Sequence, residues 1–298
     1  MRIALINSGL GLLAPAAALH RLRPDAELVL ASDPDGMPWG PRTPGDIADR
    51  ALLCARACAA YEPDVLLMAC NTGSVHALEP MRAVFEPAIP VIGTVPAIKP
   101  AAAAHHSVAI WATVATTQSP YQRRLIAEFG GSAEVTPVAC PGLADAVDAG
   151  DEDAIASAIA SAAARTPAGC EAVVLGCTEY ELVADLIGRA VPGAVTFGSA
   201  GAVAAQALRR AESRRAASSH DSGPPTSGLP ASGLPASGLD TSGEPAARPQ
   251  LGSVRILLSG RPARLPAAAL RYPEGRLLAP QVLAPDGLAV ESERALSG

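Results

Sequence analysis

The sequence is poor in aromatic residues and nearly devoid of lysine. Phe, Trp and Tyr make up 3% of its 298 residues, and Lys99 is the only lysine. A hydrophobic fraction of 49% still allows a sizeable core, which must be built from Leu, Val, Ile and Ala. The scarcity of lysine also limits the chemistry, because a pyridoxal enzyme needs a Schiff-base lysine and only Lys99 can serve.

Positive charge, long apolar runs and paired cysteines are also lacking. The net charge of −6 provides no basic field for nucleic acid. No apolar run reaches about 18 residues, so no membrane span is expected. The N-terminus enters a strand directly, without a signal-peptide pattern, and we expect a cytoplasmic protein with reduced thiols. None of the six cysteines forms a C-x-x-C pair, so neither a metal site nor a redox motif is expected.

Short apolar runs alternate with longer Ala-rich segments over about the first 210 residues. This alternation is typical of βα units around a mainly parallel sheet. Strands are predicted near 2–6, 27–31, 65–69, 90–93, 107–112, 134–138, 172–176 and 194–197. Helices are predicted near 13–22, 45–61, 76–85, 119–129, 151–164, 181–190 and 199–212.

Two cysteines follow apolar runs at matching places. V-L-L-M-A-C-N-T at 65–72 delivers Cys70, and A-V-V-L-G-C-T-E at 172–179 delivers Cys177, 107 positions later. The earlier runs that begin at Arg2 and Ser107 show nearly the same offset. A fixed offset indicates an internal repeat, and hence two related α/β halves.

Small polar residues follow four of the predicted strands. Ligands bind beyond the carboxyl ends of strands in open parallel sheets, so a shared pocket is expected there. The residues at these ends are Asn7-Ser8-Gly9, Cys70-Asn71-Thr72, Thr113 with Thr116, and Cys177-Thr178-Glu179.

The βα pattern stops near residue 211. Residues 211–250 are rich in Ser, Gly, Pro and Ala, and this composition predicts a disordered linker. The chain resumes with the strand-like V-R-I-L-L-S-G from Val254, followed by a predicted helix near 262–271. Residues 276–298 are predicted to be an irregular tail.

The two thiols are better suited to stereoinversion at a carbon than to hydrolysis. A single cysteine nucleophile needs a histidine partner. None of the five histidines lies at a predicted strand end, and the nearest is His76. A hydrolase is therefore poorly supported. Two thiols facing each other across a cleft can instead remove a proton from one face of a carbon and deliver one to the other. This stereoinversion requires no metal, flavin or pyridoxal.

Seven motifs together resemble the glutamate racemases of the cofactor-independent aspartate/glutamate racemase superfamily. The order and spacing match over residues 2 to about 210, and V-R-I-L-L-S-G-R-P-A-R-L resembles the last strand and its turn in that family. The motifs are N-S-G-L-G at 7–11, P-W-G at 38–40, A-C-N-T at 69–72, P-V-I-G-T-V-P-A at 90–97, A-T-V-A-T-T-Q-S-P-Y at 112–121, A-C-P at 139–141 and L-G-C-T-E-Y at 175–180.

The resemblance implies two pseudosymmetric α/β domains with the active site in the cleft between them. The N-terminal domain would comprise 1–93, completed by 251–275, and the C-terminal domain 94–210. The implied activity is conversion of L-glutamate to D-glutamate for peptidoglycan precursors, without a cofactor. The partner is then a small amino acid, and a homodimer is one open oligomeric state.

The resemblance also implies roles for individual residues. Cys70 and Cys177 would be the acid/base pair, with Asn7 and Glu179 beside them. Trp39 stands where the family's P-Y-G segment has Tyr. The implied substrate-binding residues are Ser8, Pro38, Trp39, Gly40, Asn71, Thr72, Thr113, Thr116 and Thr178.

Two positions depart from the family. Asn7 replaces an Asp and Glu179 replaces a His, both of which assist the thiols in glutamate racemases. Asn7 cannot accept a proton, although its amide can donate to a thiolate, and restoring Asp at this position should then raise activity. Glu179 matches the C-T-E of aspartate racemases, and its charge should raise the pKa of Cys177. Racemisation of aspartate or another small carboxylate, and a catalytically weak ligand-binding protein, therefore stay open as alternatives.

Overall fold

A computed structural model of the chain describes residues 1–221 and 251–285. Ten strands lie within these residues: β1 (Arg2–Asn7), β2 (Glu27–Ser32), β3 (Val65–Met68), β4 (Val91–Gly93), β5 (Ser107–Ala112), β6 (Glu134–Ala139), β7 (Ala172–Leu175), β8 (Val195–Phe197), β9 (Val254–Leu258) and β10 (Arg261–Ala263).

Helices connect these strands. The α-helices are α1 (Leu13–Leu22), α2 (Pro44–Ala59), α3 (Asn71–His76), α4 (Leu78–Phe85), α5 (Ile98–Ala104), α6 (Val114–Thr117), α7 (Pro120–Phe129), α8 (Leu143–Ala149), α9 (Glu152–Ala163), α10 (Ala184–Ala190), α11 (Ala200–Asp221) and α12 (Pro273–Leu278). Short 3₁₀ turns occupy Leu10–Leu12, Thr178–Val183, Ala267–Arg271 and Ala279–Gln281.

The strands form two sheets, and four strands of the first, β2-β1-β3-β4, follow the same order as the four of the second, β6-β5-β7-β8. The first sheet runs β10-β9-β2-β1-β3-β4 and the second β6-β5-β7-β8. All neighbours are parallel except the β9–β10 hairpin. Strands β1 to β4 and their counterparts β5 to β8 begin 104 to 107 residues apart. The prediction of two pseudosymmetric α/β units with mainly parallel sheets is thereby confirmed.

Both faces of each sheet are covered, which explains the uninterrupted apolar runs of the strands. In β1, Ile3 and Leu5 belong to one hydrophobic cluster, and Ala4 and Ile6 belong to another on the opposite face. The first cluster also contains Trp111 of β5, so it is shared by the two halves. The halves therefore dock through a common core and hold the carboxyl ends of their strands in a fixed relation.

The returning segment, residues 251–285, completes the first sheet. Its strand β9 pairs with β2 in parallel, from Leu28 opposite Val254 to Ser32 opposite Leu258. The prediction of a helix over 262–271 is wrong for its first half, because a turn at Ser259-Gly260 sends the chain back as β10; only Ala267–Arg271 are helical, as a 3₁₀ turn. Residues 276–281, predicted to be irregular, are helical.

Helix α11 is longer than expected and reaches Asp221, so the predicted linker does not begin at 211. The sequence A-L-R-R-A-E-S-R-R-A-A at 207–217 consists mostly of strong helix formers. The helix is also tied to the first half, where Arg214 donates to Pro63 O at 2.9 Å. The rest of the predicted linker lies outside the described residues, as do 286–298 of the predicted tail.

Three short helices that closely follow the end of a strand were not predicted, α5, α6 and α8. The helix predicted to start at residue 76 begins earlier, as α3, because the side chain of Cys70 caps it. No helix in residues 1–221 or 251–285 is both long and apolar enough to cross a bilayer.

Candidate active site

The carboxyl ends of both sheets face one cavity of about 480 Å³. Strands β1, β3, β5 and β7 each deliver at least one of its lining residues. The predicted site residues that line it are Ser8, Pro38, Trp39, Gly40, Cys70, Thr72, Thr113, Cys177 and Glu179. The two halves thus bring both thiols to the same cavity.

Cys70 is the N-cap residue of α3. Its Sγ accepts a hydrogen bond from the N–H of Gly73 at 3.4 Å, and its exposure is 6%. Burial raises the pKa of Cys70 to about 12, with a further contribution from the charge of Glu179. Hydrogen bonds from Gly73 and Ser8 act in the opposite direction but do not prevail. The free site therefore holds Cys70 as a thiol at neutral pH.

Cys177 occupies the equivalent position after β7. Its thiol donates to Oε2 of Glu179 at 2.8 Å. Burial and then the charge of Glu179 raise the pKa of Cys177 well above its ordinary value, the direction expected from the sequence. A carboxylate that accepts the thiol's hydrogen bond is a direct acceptor for its proton.

Asn7 does not line the cavity but lies fully buried behind it. Its amide donates to Ala69 O at 2.5 Å and to Thr178 Oγ1 at 3.0 Å. Its Oδ1 accepts from the N–H of Gly9 at 3.1 Å, as in an Asx-type turn. Thr178 in turn donates to Oε2 of Glu179 at 3.3 Å. Asn7 is thus used to join the two halves, rather than to contact the sulfur of Cys70 as its sequence position indicated.

Asn71 and Thr116 line an adjoining cavity of about 300 Å³. Gly40, Thr72 and Ala115 line both cavities, so the two spaces are neighbours along the cleft. Asn71 also spans the cleft, since its amide donates to Gly176 O at 2.8 Å.

Three predicted substrate-binding threonines follow β5 and β7, and their hydroxyls already have hydrogen-bond partners within the protein. Thr113 Oγ1 donates to Thr116 Oγ1 at 3.0 Å. Thr178 is buried, and its hydroxyl belongs to the network of Asn7 and Glu179. Of the three, Thr113 alone lines the larger cavity.

Several lining residues were not predicted from the sequence, and Asp148 is the most consequential. It lies on α8, and its Oδ1 accepts the N–H of Leu10 at 2.7 Å across the cleft. Burial, followed by the charge of Glu179, raises the pKa of Asp148 well above its ordinary value. The signal for it was weak, because Asp148 stands nine residues after β6 ends rather than at the strand end. Asp145, Cys140 and Gln118 also line the cavity.

The cavity is acidic. Three carboxyl groups line it, those of Asp145, Asp148 and Glu179, and its described lining includes no Lys, Arg or His. Lys99 is exposed on α5 and is not part of the lining, so it is not placed to form a Schiff base there. Within 1–221 and 251–285, no group of three or more His, Cys, Asp or Glu residues could hold a metal ion.

Known proteins with similar sequences are racemases. The family model described as Asp/Glu/Hydantoin racemase matches residues 11–208. The glutamate racemase of Pseudomonas putida strain F1 is 33% identical over 220 residues, covering 70% of this chain and 80% of that protein. The glutamate racemase of Roseiflexus sp. strain RS-1 is 34% identical over 196 residues, covering 64% and 71%.

Two solved structures with a similar fold are glutamate racemases. The glutamate racemase of Escherichia coli, crystallised with L-glutamate and the activator UDP-MurNAc-Ala, superposes with a TM-score of 0.67 at 26% identity, over 71% of this chain and 82% of that one. The Thermus thermophilus glutamate racemase shares the fold over 95% of this chain and 94% of its own, with a TM-score of 0.63 at 23% identity. Because the family model covers well over half of the residues and the relatives match over most of their length, this chain belongs to the Asp/Glu/Hydantoin racemase family.

Proposed function

We propose that the protein is a glutamate racemase that interconverts L- and D-glutamate with Cys70 and Cys177 as its two acid/base groups. The observation that carries the proposal is that both thiols, from equivalent strand ends of the two halves, line one cavity. The family membership and the named activity of the relatives support the same reaction. The D-glutamate formed would supply peptidoglycan synthesis.

Inversion at Cα requires a base on one face of the carbon and an acid on the other. In one direction Cys177 gives its proton to Glu179, and the resulting thiolate removes the Cα proton. The Cys70 thiol then protonates the opposite face. The thiolate left on Cys70 is the base for the reverse direction, because Asn7 offers no proton acceptor.

The charge of the bound substrate explains how a thiolate can form in this acidic cavity. In the free enzyme, burial and Glu179 hold the pKa of both thiols above neutral pH. The substrate ammonium, placed beside Glu179 and Asp148, supplies the opposite charge and lowers these pKa values again. The substrate's carboxylates are then left to Ser8, Thr72 and Thr113, which line the cavity, and to the backbone around Gly40.

Aspartate is the second candidate substrate. The carboxylate of Glu179, in a C-T-E sequence like that of aspartate racemases, replaces the imidazole that glutamate racemases carry beside the second thiol. A substrate one methylene shorter places its distal carboxylate differently in the same cavity, so the two acids should differ in KM.

The test is solvent-deuterium incorporation at Cα, together with chiral chromatography of an enantiopure amino-acid panel. We expect both enantiomers of glutamate to exchange and to reach a 1:1 mixture. Absence of exchange for every amino acid in the panel would refute the proposal, and exchange confined to aspartate would establish the second candidate.

Single-cysteine variants test the assignment of the thiols. Cys70→Ala and Cys177→Ala should each abolish inversion, since one positioned acid/base group contributes roughly 10²–10⁴-fold. In Cys70→Ala, Cys177 can still exchange the Cα proton of one enantiomer without inverting it, because Glu179 accepts the thiol's proton. In Cys177→Ala, Cys70 has no such acceptor, so exchange of the opposite enantiomer should be much slower. Cys170→Ala, at a buried thiol outside the cavity, is the matched control.

A further inference from the structure

The returning segment ends its strand close to the site. After β9 the chain turns at Ser259, whose φ of 45° lies in the left-handed region that non-glycine residues rarely adopt. The N–H of Ser259 donates to Ser32 O at 2.8 Å, which holds the turn beside the end of β2. A serine at a position where glycine would be relaxed raises the question of what its hydroxyl contacts.

That hydroxyl accepts the N–H of Asp35 at 3.1 Å, and it donates to Asp33, a fully buried carboxylate directly after β2. Ser259 Oγ donates to Asp33 Oδ1 at 2.9 Å. The indole Nε1 of Trp39 donates to Asp33 Oδ2 at 3.0 Å, and Arg50 Nη1 donates to the same oxygen at 3.2 Å. Donors from three separate segments therefore fix the position of one buried carboxylate.

Trp39 extends this constraint to the thiol. Its indole lines the cavity although its exposure is only 1%. The ring packs closely on Gly73, where an added Cβ would lie 3.0 Å from Trp39 Cζ3. Gly73 belongs to the first turn of α3 and donates its N–H to Cys70 Sγ. A continuous set of contacts thus joins Ser259, through Asp33 and Trp39, to the turn that holds Cys70.

We propose that Ser259 is a positioning residue of the active site: its hydroxyl orients Asp33, which holds the Trp39 wall of the cavity against the Cys70 turn. The returning segment then contributes to the site although none of its described residues lines the cavity. The kinetic part of this proposal rests on the proposed racemase function, whereas the structural part does not.

The test compares Ser259→Gly with Ser259→Thr. Glycine removes the hydroxyl but suits the left-handed backbone, so any loss cannot be ascribed to backbone strain. Threonine keeps the hydroxyl but its branched Cβ is strained at this φ, so it should lower the Tm while retaining most of the activity. Ser253→Ala, just before the start of the same strand, is the control. Two readouts are needed: kcat/KM for glutamate, and the indole N–H signals in ¹⁵N–¹H NMR. The chain has two tryptophans, so Trp39→Phe assigns the pair.

We expect Ser259→Gly to lower the Tm modestly, because the buried Asp33 Oδ1 loses the hydroxyl donor, and to lose kcat/KM on the order of tenfold, mainly through KM, because a small misplacement of a cavity wall is costly. The Trp39 signal should shift while that of Trp111 stays, and Ser259→Thr should restore the Trp39 signal. An unshifted Trp39 signal in Ser259→Gly overturns the proposal, and so does a shifted signal with unchanged kcat/KM. A wild-type protein without racemase activity would instead refute the proposed function, and the Trp39 signal would still decide whether Ser259 orients the indole.

Discussion

Asn7 and Glu179 belong to one buried network centred on Thr178. A Cβ added at Gly11 would lie 2.7 Å from both Asn7 Nδ2 and Glu179 Oε1, so the two side chains converge there. Glutamate racemases carry Asp and His at these two positions. This chain has an amide at position 7 and a carboxylate at position 179. The negative charge of the network therefore lies in the second half, whereas in glutamate racemases it lies in the first.

This geometry reverses what the sequence indicated for Asn7→Asp. A carboxylate at position 7 could no longer donate to Ala69 O, and it would face the carboxylate of Glu179. Leaving a buried carbonyl unpaired costs about 1–3 kcal/mol. We expect Asn7→Asp to lower both the free energy of unfolding in urea and kcat/KM, and the addition of Glu179→His to recover part of each. A gain in kcat/KM from Asn7→Asp alone would favour the sequence-based expectation over the structural one.

Asp148 makes stability depend on pH. Burial and Glu179 raise the pKa of Asp148 in the folded state, whereas an unfolded aspartate titrates near about 3.9. The folded state therefore loses stability as the pH rises from about 4 through the raised pKa, and the loss is complete above it. Asp148→Asn can keep the bond from Leu10 without the charge.

Below about pH 4 we expect the Tm of Asp148→Asn to be close to that of the wild type. At neutral pH the variant's Tm should be higher, with a gain in the free energy of unfolding of about 1.4 kcal/mol for each unit of difference between the folded and unfolded pKa. Thermal unfolding across pH 4–8 measures this difference. Asp49→Asn, at an exposed residue of α2 outside the cavity, is the control. A Tm difference that does not change with pH would show that Asp148 is not the titrating group. KM for glutamate should rise in Asp148→Asn, because the ammonium loses one of its two carboxylates.

At the scale of elements, the strand ends could be predicted and the side-chain network could not. Uninterrupted apolar runs predict parallel strands that are buried on both faces, and Cys70 and Cys177 each lie two residues after the end of such a strand. By contrast, Asp148 reaches the site from within a helix, and Asn7 turns its amide toward Thr178, 171 residues away. Such contacts depend on how the halves dock, which local pattern does not encode.

The returning segment is the element whose removal should be most damaging. Strand β9 covers the edge of β2, and its turn supplies Ser259. We expect replacement of 222–250 by about ten Gly and Ser residues, which span up to roughly 30 Å, to leave Tm and activity nearly unchanged. Truncation after Asp221 removes β9 and should abolish activity and lower Tm sharply. Thermal unfolding and kcat/KM of the two proteins distinguish these outcomes, and equal tolerance of both changes would contradict the role given to β9.

For the whole molecule, the repeat in the sequence predicted the essential arrangement. Two sheets of equal strand order place Cys70 and Cys177 at equivalent ends, and the shared hydrophobic cluster holds the halves together. The position of the cavity follows from this symmetry. Its acidic character does not, because it depends on three carboxyl groups that the pseudosymmetry does not relate.

Because both halves line the cavity, substrate should stabilise them together. A ligand at about 100 times its Kd that binds only the folded state adds about 2.7 kcal/mol to the free energy of unfolding.

The chain offers one tryptophan in each half, Trp39 beside the first sheet and Trp111 in β5. Loss of the two indole N–H NMR signals on heating the unaltered protein then reports each half separately, with Trp39 left in the cavity wall. Equimolar DL-glutamate is the suitable ligand, because racemisation does not change its composition. We expect the same upward shift of Tm from both probes, roughly 2–4 °C for each kcal/mol. A shift seen by one tryptophan alone would place the ligand within a single half rather than in the cavity between the two.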